Sequence, residues 1–247
     1  MANGGSGKEL SKAEELRPRE STVACKRKNS WEEKCAVERA GQQNGRKVSR
    51  LTTWNLRTLY RKGKFENVNM EMKRLNIDIM GLSEVRWTQS GIFRSDDLTM
   101  MYSGKSDVHE AGVGILLQKE VAKSLMGFYA VSERVIMIKL KGKPFNYAII
   151  QVYAPTSSST EEEIDRIYSE VEEAKQQCGS QEVVIVVGDL NAKVGQDRYQ
   201  SVVGNCRLGV KNERGERWME WFRNAAVKVK SYPGADCDSD HVPVVGD

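Results

Sequence analysis

Seven short apolar runs, most of them closing on a polar residue, constrain this chain more than any other feature. VSRLTTWN (48–55), IDIMGLSE (77–84), LTMMYS (98–103), GVGILLQ (112–118), ERVIMIKL (133–140), FNYAIIQVY (145–153) and EVVIVVGDLN (182–191) read as strands joined through Gly-containing turns or short linkers. EVVIVVGDLN is the most apolar, a continuous run of the kind buried on both faces. Helical patterns lie between them. Phe65, Val68, Met72 and Leu75 recur at helical spacing after Gly63, and Thr160 with Glu163 forms a capping box ahead of Ile164, Ile167, Tyr168, Val171 and Ala174. A further helix is expected from about Asn212 to Asn224, carrying Trp218, Trp221 and Phe222. Strands interleaved with so few helices predict one α+β domain, its sheets covered by helices on their outer faces, without internal repeats.

Charge separates that region from what precedes it. Residues 1–50 hold 12 Lys/Arg and 7 Asp/Glu, whereas residues 51–247 hold 26 and 27, so the overall net charge of +4 comes from the N-terminal stretch. Residues 1–47 contain only scattered Leu10, Leu16, Val23 and Trp31 among Glu, Lys, Arg, Gly and Ser. Such a segment cannot bury enough surface to offset the entropy of ordering, so a disordered basic arm is expected over 1–47 and a folded domain over 48–247. Lys26-Arg27-Lys28 and Arg46-Lys47 suit nucleic acid or an import receptor, or are simply solvated. No run approaches a membrane span and the N-terminus lacks a signal-peptide core, so a nuclear or cytoplasmic protein is expected, neither secreted nor membrane-bound. The five cysteines are scattered, without a CxxC pair, and read as reduced thiols. Oligomeric state is not legible.

Polar residues at strand ends carry the chemistry. Asn55, Glu84, Tyr153, and Asp189 with Asn191 each close an apolar run, and side chains at strand ends can converge on one rim of a sheet. Carboxylate and amide oxygens gathered in this way suit Mg²⁺, a hard cation that takes oxygen ligands. Each residue alone has a bland reading: a solvated Glu, an Asp-x-Asn turn, a Tyr-x-Pro strand exit, a chance Ser-Asp-His triplet. His109, in the loop before GVGILL, reads as a surface residue. Order and shared placement set the strand-end group apart.

TWNLRTL (53–59), GLSEVRW (81–87), QVYAPT (151–156), GDLNAKVG (188–195) and SDHVPV (239–244) resemble, in order, the signature motifs of the endonuclease/exonuclease/phosphatase superfamily, in particular the apurinic-like endonucleases of LINE-type retrotransposons. The resemblance implies a DNase I-like four-layered α/β/β/α sandwich that cleaves phosphate esters, with DNA as partner through its phosphate backbone and Mg²⁺ (or Mn²⁺) as cofactor. It implies metal ligation by Glu84, assisted by Asn55 and Asp240. It gives Asp189 the attacking water, Asn191 the phosphate and Asp189, and Tyr153 and His241 contacts to the phosphate.

Two departures accompany it. Arg57 stands where the repair-enzyme branch carries an acidic residue, as in retrotransposon relatives. Between the Trp-bearing helix and Ser-Asp-His only Ala225 to Asp238 intervene, where the resemblance implies a longer stretch containing an Ile-Asp-Tyr strand that orients the catalytic His. The fold is therefore expected to be incomplete between about 225 and 238, and an imidazole without its orienting carboxylate loses rate. Two readings follow: a metal-dependent DNA-nicking phosphodiester hydrolase, with activity reduced or lost, or a catalytically inactive nuclease-fold binding or scaffold protein. A phosphatase for inositol or nucleotide phosphates ranks below the first.

Overall fold

Side chains of alternating strand residues face opposite ways, so a strand apolar at every position must be covered on both sides. The computed structural model of the chain meets that demand with two stacked sheets. It describes residues 49–95, 97–156, 159–193, 210–221, 230–231 and 244–246, all within the unit Val48–Asp247. The expected arm, most of the stretch 225–238, Asp240 and His241 lie outside the described residues.

The element order is β1 (Leu51–Asn55), α1 (Lys64–Arg74), β2 (Ile79–Ser83), β3 (Ser90–Arg94), β4 (Leu98–Ser103), β5 (Val113–Gln118), α2 (Lys119–Ala122), β6 (Leu125–Ala130), β7 (Val135–Leu140), β8 (Tyr147–Tyr153), α3 (Glu161–Gln176), β9 (Val183–Asp189), α4 (Glu213–Trp221), β10 (Lys230–Ser231) and β11 (Val244–Gly246). One sheet runs β10-β11-β1-β2-β5-β4-β3, the other β6-β7-β8-β9. Ile79, Met101, Val113, Ile115 and Leu117 of the first sheet pack against Ile136, Ile138, Leu140, Ile149 and Tyr153 of the second, forming the inner core. The opposite faces meet helices. Trp54, Met80, Leu82, Met100 and Leu116 lie under Val68 and Met72 of α1. Val135, Met137, Ala148, Ile150 and Val152 lie under α3 and Trp218 of α4. The layers are thus α/β/β/α.

Local chemistry sets the helix ends. Thr160 accepts the Glu163 backbone N–H and Glu163 caps the Thr160 N–H in return, a box that contributes about 1 kcal/mol at such a terminus. Ile164, Ile167, Val171 and Ala174 then form the buried stripe of α3. Each fully buried aliphatic side chain of this kind contributes roughly 1.5–3 kcal/mol. Among the described residues, no helix is long and apolar enough to cross a membrane.

Four described strands, β3, β6, β10 and β11, have no counterpart among the seven apolar runs. Ser90–Arg94 lies at a sheet edge with most positions exposed, so it needs no apolar pattern. Leu125–Ala130 edges the other sheet in the same way. The expectation for EVVIVVGDLN requires correction. Val183 and Val184 are 39% and 37% exposed, and the rest of β9 is half-buried, because among the described strands β9 pairs only with β8 and stands at the sheet edge.

The layer between the sheets also holds a small polar cluster. Gln151, fully buried, donates from Nε2 to Ser83 Oγ (3.0 Å), and its Oε1 accepts from Thr53 Oγ1 (3.1 Å). Gly81 makes room for it, since a Cβ there would fall 1.9 Å from Gln151 Oε1. Gly81→Ala should therefore destabilise the fold by roughly 1–3 kcal/mol through overpacking. Urea unfolding measures this, and a wild-type midpoint would show that Gln151 is not confined.

Candidate active site

Parallel pairing decides where the site forms. β1 and β2 are parallel, with Asn55 opposite Ser83, and α1 is their crossover. β8 and β9 are parallel, with Tyr153 opposite Asp189, and α3 is theirs. Parallel neighbours end on the same side, so each sheet delivers two adjacent C-terminal strand ends to one rim, the place where open α/β sheets commonly bind ligands.

There the side chains meet. Asn55 Nδ2 donates to Glu84 Oε1 (3.0 Å) and to Asp189 Oδ2 (2.8 Å), joining a carboxylate from each sheet through one amide. Tyr153 OH donates to the same Glu84 Oε1 (3.1 Å), and Arg86 holds Oε2 (2.9 Å). Asn55 Oδ1 accepts the Arg57 backbone N–H (2.9 Å). Asn191 closes the turn after β9: its backbone N–H donates to Asp189 Oδ1 (3.1 Å) and its Nδ2 to Ala154 O (2.7 Å). Five strand-end residues singled out from the sequence, Asn55, Glu84, Tyr153, Asp189 and Asn191, thus share one network. Asp240 and His241 are outside the described residues.

Backbone geometry aims these groups. Glu84 and Arg86 take φ of 55° and 60°, a left-handed conformation that non-glycine residues rarely adopt and that stores roughly 1–3 kcal/mol of strain each. Neighbouring hydrogen bonds hold them there: Val85 N–H to Gly112 O, Arg86 N–H to Ala111 O, and Leu59 N–H to Val85 O. Gly188 precedes Asp189 at φ 148°, where a Cβ would lie 1.9 Å from Val152 O, so β9 can approach β8 this closely only with glycine.

The electrostatics follow. Burial works to raise the Glu84 carboxyl, but hydrogen bonds from Arg86, Asn55 and Tyr153 outweigh it and hold the group below its usual range. Burial, together with the charge of Glu84 and the hydrogen bond to it, pushes the Tyr153 phenol up to about 12, keeping it a protonated donor near neutral pH. Arg134 stacks over the Tyr153 ring at 5.0 Å and donates to its carbonyl (3.3 Å). Among the described residues no group of three or more His, Cys, Asp or Glu forms a metal cage. Glu84 and Asp189 do bring two carboxylates to one amide, and oxygen donors crowded in this way fit a hard divalent cation.

Sequence reasoning missed Arg86, Arg134 and Gln151. Gln151 left a trace as the lone amide inside AIIQVY, on the same face as Tyr153. Arg86 left little, because its role depends on the turn at Glu84.

A four-layered sandwich with carboxylates and amides at the paired strand ends of both sheets has the phosphodiesterase-type architecture of nucleases and phosphatases. The chain belongs to the endonuclease/exonuclease/phosphatase family, whose sequence model matches residues 52–227. Craniofacial development protein 2 from Bos taurus is 30% identical over 257 residues, covering 85% of this chain and 43% of that protein. The chain therefore spans less than half the length of this curated relative. Its fold is similar to AP endonuclease LMAP from Leishmania major (TM-score 0.57, 14% identity, 80% of this chain and 86% of that one). It is also similar to the endonuclease domain of TRAS1, a telomere-specific non-LTR retrotransposon (TM-score 0.53, 12% identity, 80% and 96%). At these identities the structural likeness is one of fold.

Because the Glu84 pKa is lowered on folding, its contribution to stability is present above the usual carboxylate range and is lost as pH falls through the lowered value. Tyr153→Phe removes one donor to the ionised form, so the Glu84 midpoint should rise and acid unfolding should begin at higher pH. An NMR titration of the Glu84 carboxyl checks this, and an unchanged midpoint would remove Tyr153 from the network.

Proposed function

We propose that this chain is a divalent-metal-dependent phosphodiester hydrolase that nicks DNA, of the retrotransposon-endonuclease kind. The observation that carries the reading is the Asn55 amide joining Glu84 of one sheet to Asp189 of the other. Glu84 would hold Mg²⁺ (or Mn²⁺), with Asn55 and Asp240 assisting. The bound ion would supply charge stabilisation to the phosphate.

The protein's own groups divide the remaining work. Asp189, fixed by Asn55 and by the Asn191 N–H, accepts the proton of the attacking water. Tyr153, protonated near neutral pH, donates to a phosphate oxygen, as Asn191 and His241 would. β11 begins at Val244 opposite Thr53, two residues before Asn55. Arg86, whose guanidinium lies beside the Glu84 carboxylate, suits a polyanionic substrate.

The alternative is a nuclease-fold binding or scaffold protein without catalysis. It is favoured by the Arg86 guanidinium, which already occupies Glu84 Oε2. Supercoiled plasmid incubated with Mg²⁺ or EDTA separates the two readings. Metal-dependent nicking should fall about 100-fold or more in Glu84→Ala and in Asp189→Ala. Equal nicking by wild type and both variants would sink the site, and DNA binding without nicking would establish the alternative.

A further inference from the structure

Three loops meet beside the strand-end network: the one after β1, the one after β2 and the one before β5. Hydrogen bonds from Leu59 to Val85, Val85 to Gly112 and Arg86 to Ala111 sew them together. On their outer surface Tyr60 and His109 stack, with ring centroids 4.4 Å apart and planes tilted by 44°. Tyr60 is 66% exposed, so this contact contributes little to the core. The Tyr60 backbone and the His109 ring are nevertheless held. The Tyr60 N–H donates to Thr58 Oγ1 (3.1 Å), and buried Leu59 anchors the loop behind it. His109 Nδ1 lies 2.8 Å from the Arg86 carbonyl, and because a carbonyl only accepts, Nδ1 carries the proton.

The pair sits close to the network through a short chain of contacts. The Arg86 carbonyl holds His109, and its guanidinium holds Glu84 at 2.9 Å. The run RTLYRK (57–62) supplies Arg57, Arg61 and Lys62 around Tyr60 and no acidic residue. The acidic side chains nearest in sequence to His109 are Asp107 and Glu110, and Lys105 pairs with Glu110 at 2.9 Å. An exposed aromatic pair interleaved with cations is what a polynucleotide strand requires, since the cations follow its phosphates and the rings receive a base.

We propose that Tyr60 and His109 form a stacking platform for an unstacked nucleobase of a DNA strand, next to the phosphate that the strand-end network addresses. This deepens and rests on the phosphodiesterase reading: it assigns the substrate to polynucleotides and sets aside base-free phosphate esters, which have nothing to stack. The rings position the strand and take no part in bond breaking.

The test uses the full chain in EDTA, so that binding is measured apart from hydrolysis. A single-stranded oligonucleotide carrying 2-aminopurine and a fluorescent end label reports stacking by quenching and affinity by anisotropy. Inorganic polyphosphate serves as a base-free polyanion. Wild type should quench 2-aminopurine, Tyr60→Ala and His109→Ala should bind the oligonucleotide roughly ten-fold more weakly, and Tyr60→Phe should retain binding. Polyphosphate affinity should be unchanged in all three variants. Unchanged oligonucleotide affinity in Tyr60→Ala, equal weakening on both polymers, or absence of quenching by wild type would each overturn the platform. Plasmid nicking with and without Glu84→Ala reports separately on the hydrolase reading, so either can fail while the other stands.

Discussion

Gln151 reaches from β8 across the layer between the sheets and hydrogen-bonds Ser83 of β2 and Thr53 of β1. An amide buried here without those partners would cost roughly 1–3 kcal/mol, so its two bonds favour one relative position of the sheets over others. That position matters because Asn55, Glu84 and Tyr153 each lie one or two residues beyond the three bridged ones. Apolar contacts of the inner core, to which Ile115 and Ile138 belong, are non-directional and would tolerate a small slide. The amide would not.

The site inherits its form from this bridge and from parallel pairing. Two like charges, Glu84 and Asp189, face a single amide, while Arg86 and Tyr153 donate to Glu84 from other sides. The donors favour the charged form of Glu84 against its burial, and a cation would favour it further. The left-handed backbone at Glu84 and Arg86 belongs to the same arrangement, since it turns the chain sharply enough after β2 to direct both side chains at the rim. Strain of that kind persists only where the surrounding hydrogen bonds over-determine it, as those from Val85, Arg86 and Leu59 do.

Much of the fold was legible in the amino-acid sequence for physical reasons. The seven apolar runs appear as β1, β2, β4, β5, β7, β8 and β9, and the capping box at Thr160 opens α3 where expected. β3 and β6 were not legible, because an edge strand has its backbone partner on one side and needs no apolar alternation. The exposure of Val183 and Val184 was hidden for a related reason: composition records how apolar a strand is, whereas coverage depends on what lies beside it. His109, which looked like an ordinary surface residue, is exposed, yet its partners Tyr60 and Arg86 come from loops 49 and 23 positions away.

By itself the sequence determined the strand and helix periodicities, the family motifs and the identity of the polar residues at strand ends. These are encoded locally, through side-chain period, capping chemistry and turn residues. Only the tertiary structure decided that Asn55 bonds to residues 29 and 134 positions away, that Arg86 shares Glu84, and that one buried glutamine ties the sheets together. Those contacts arise from parallel pairing and sheet stacking, which bring together groups that no local pattern relates.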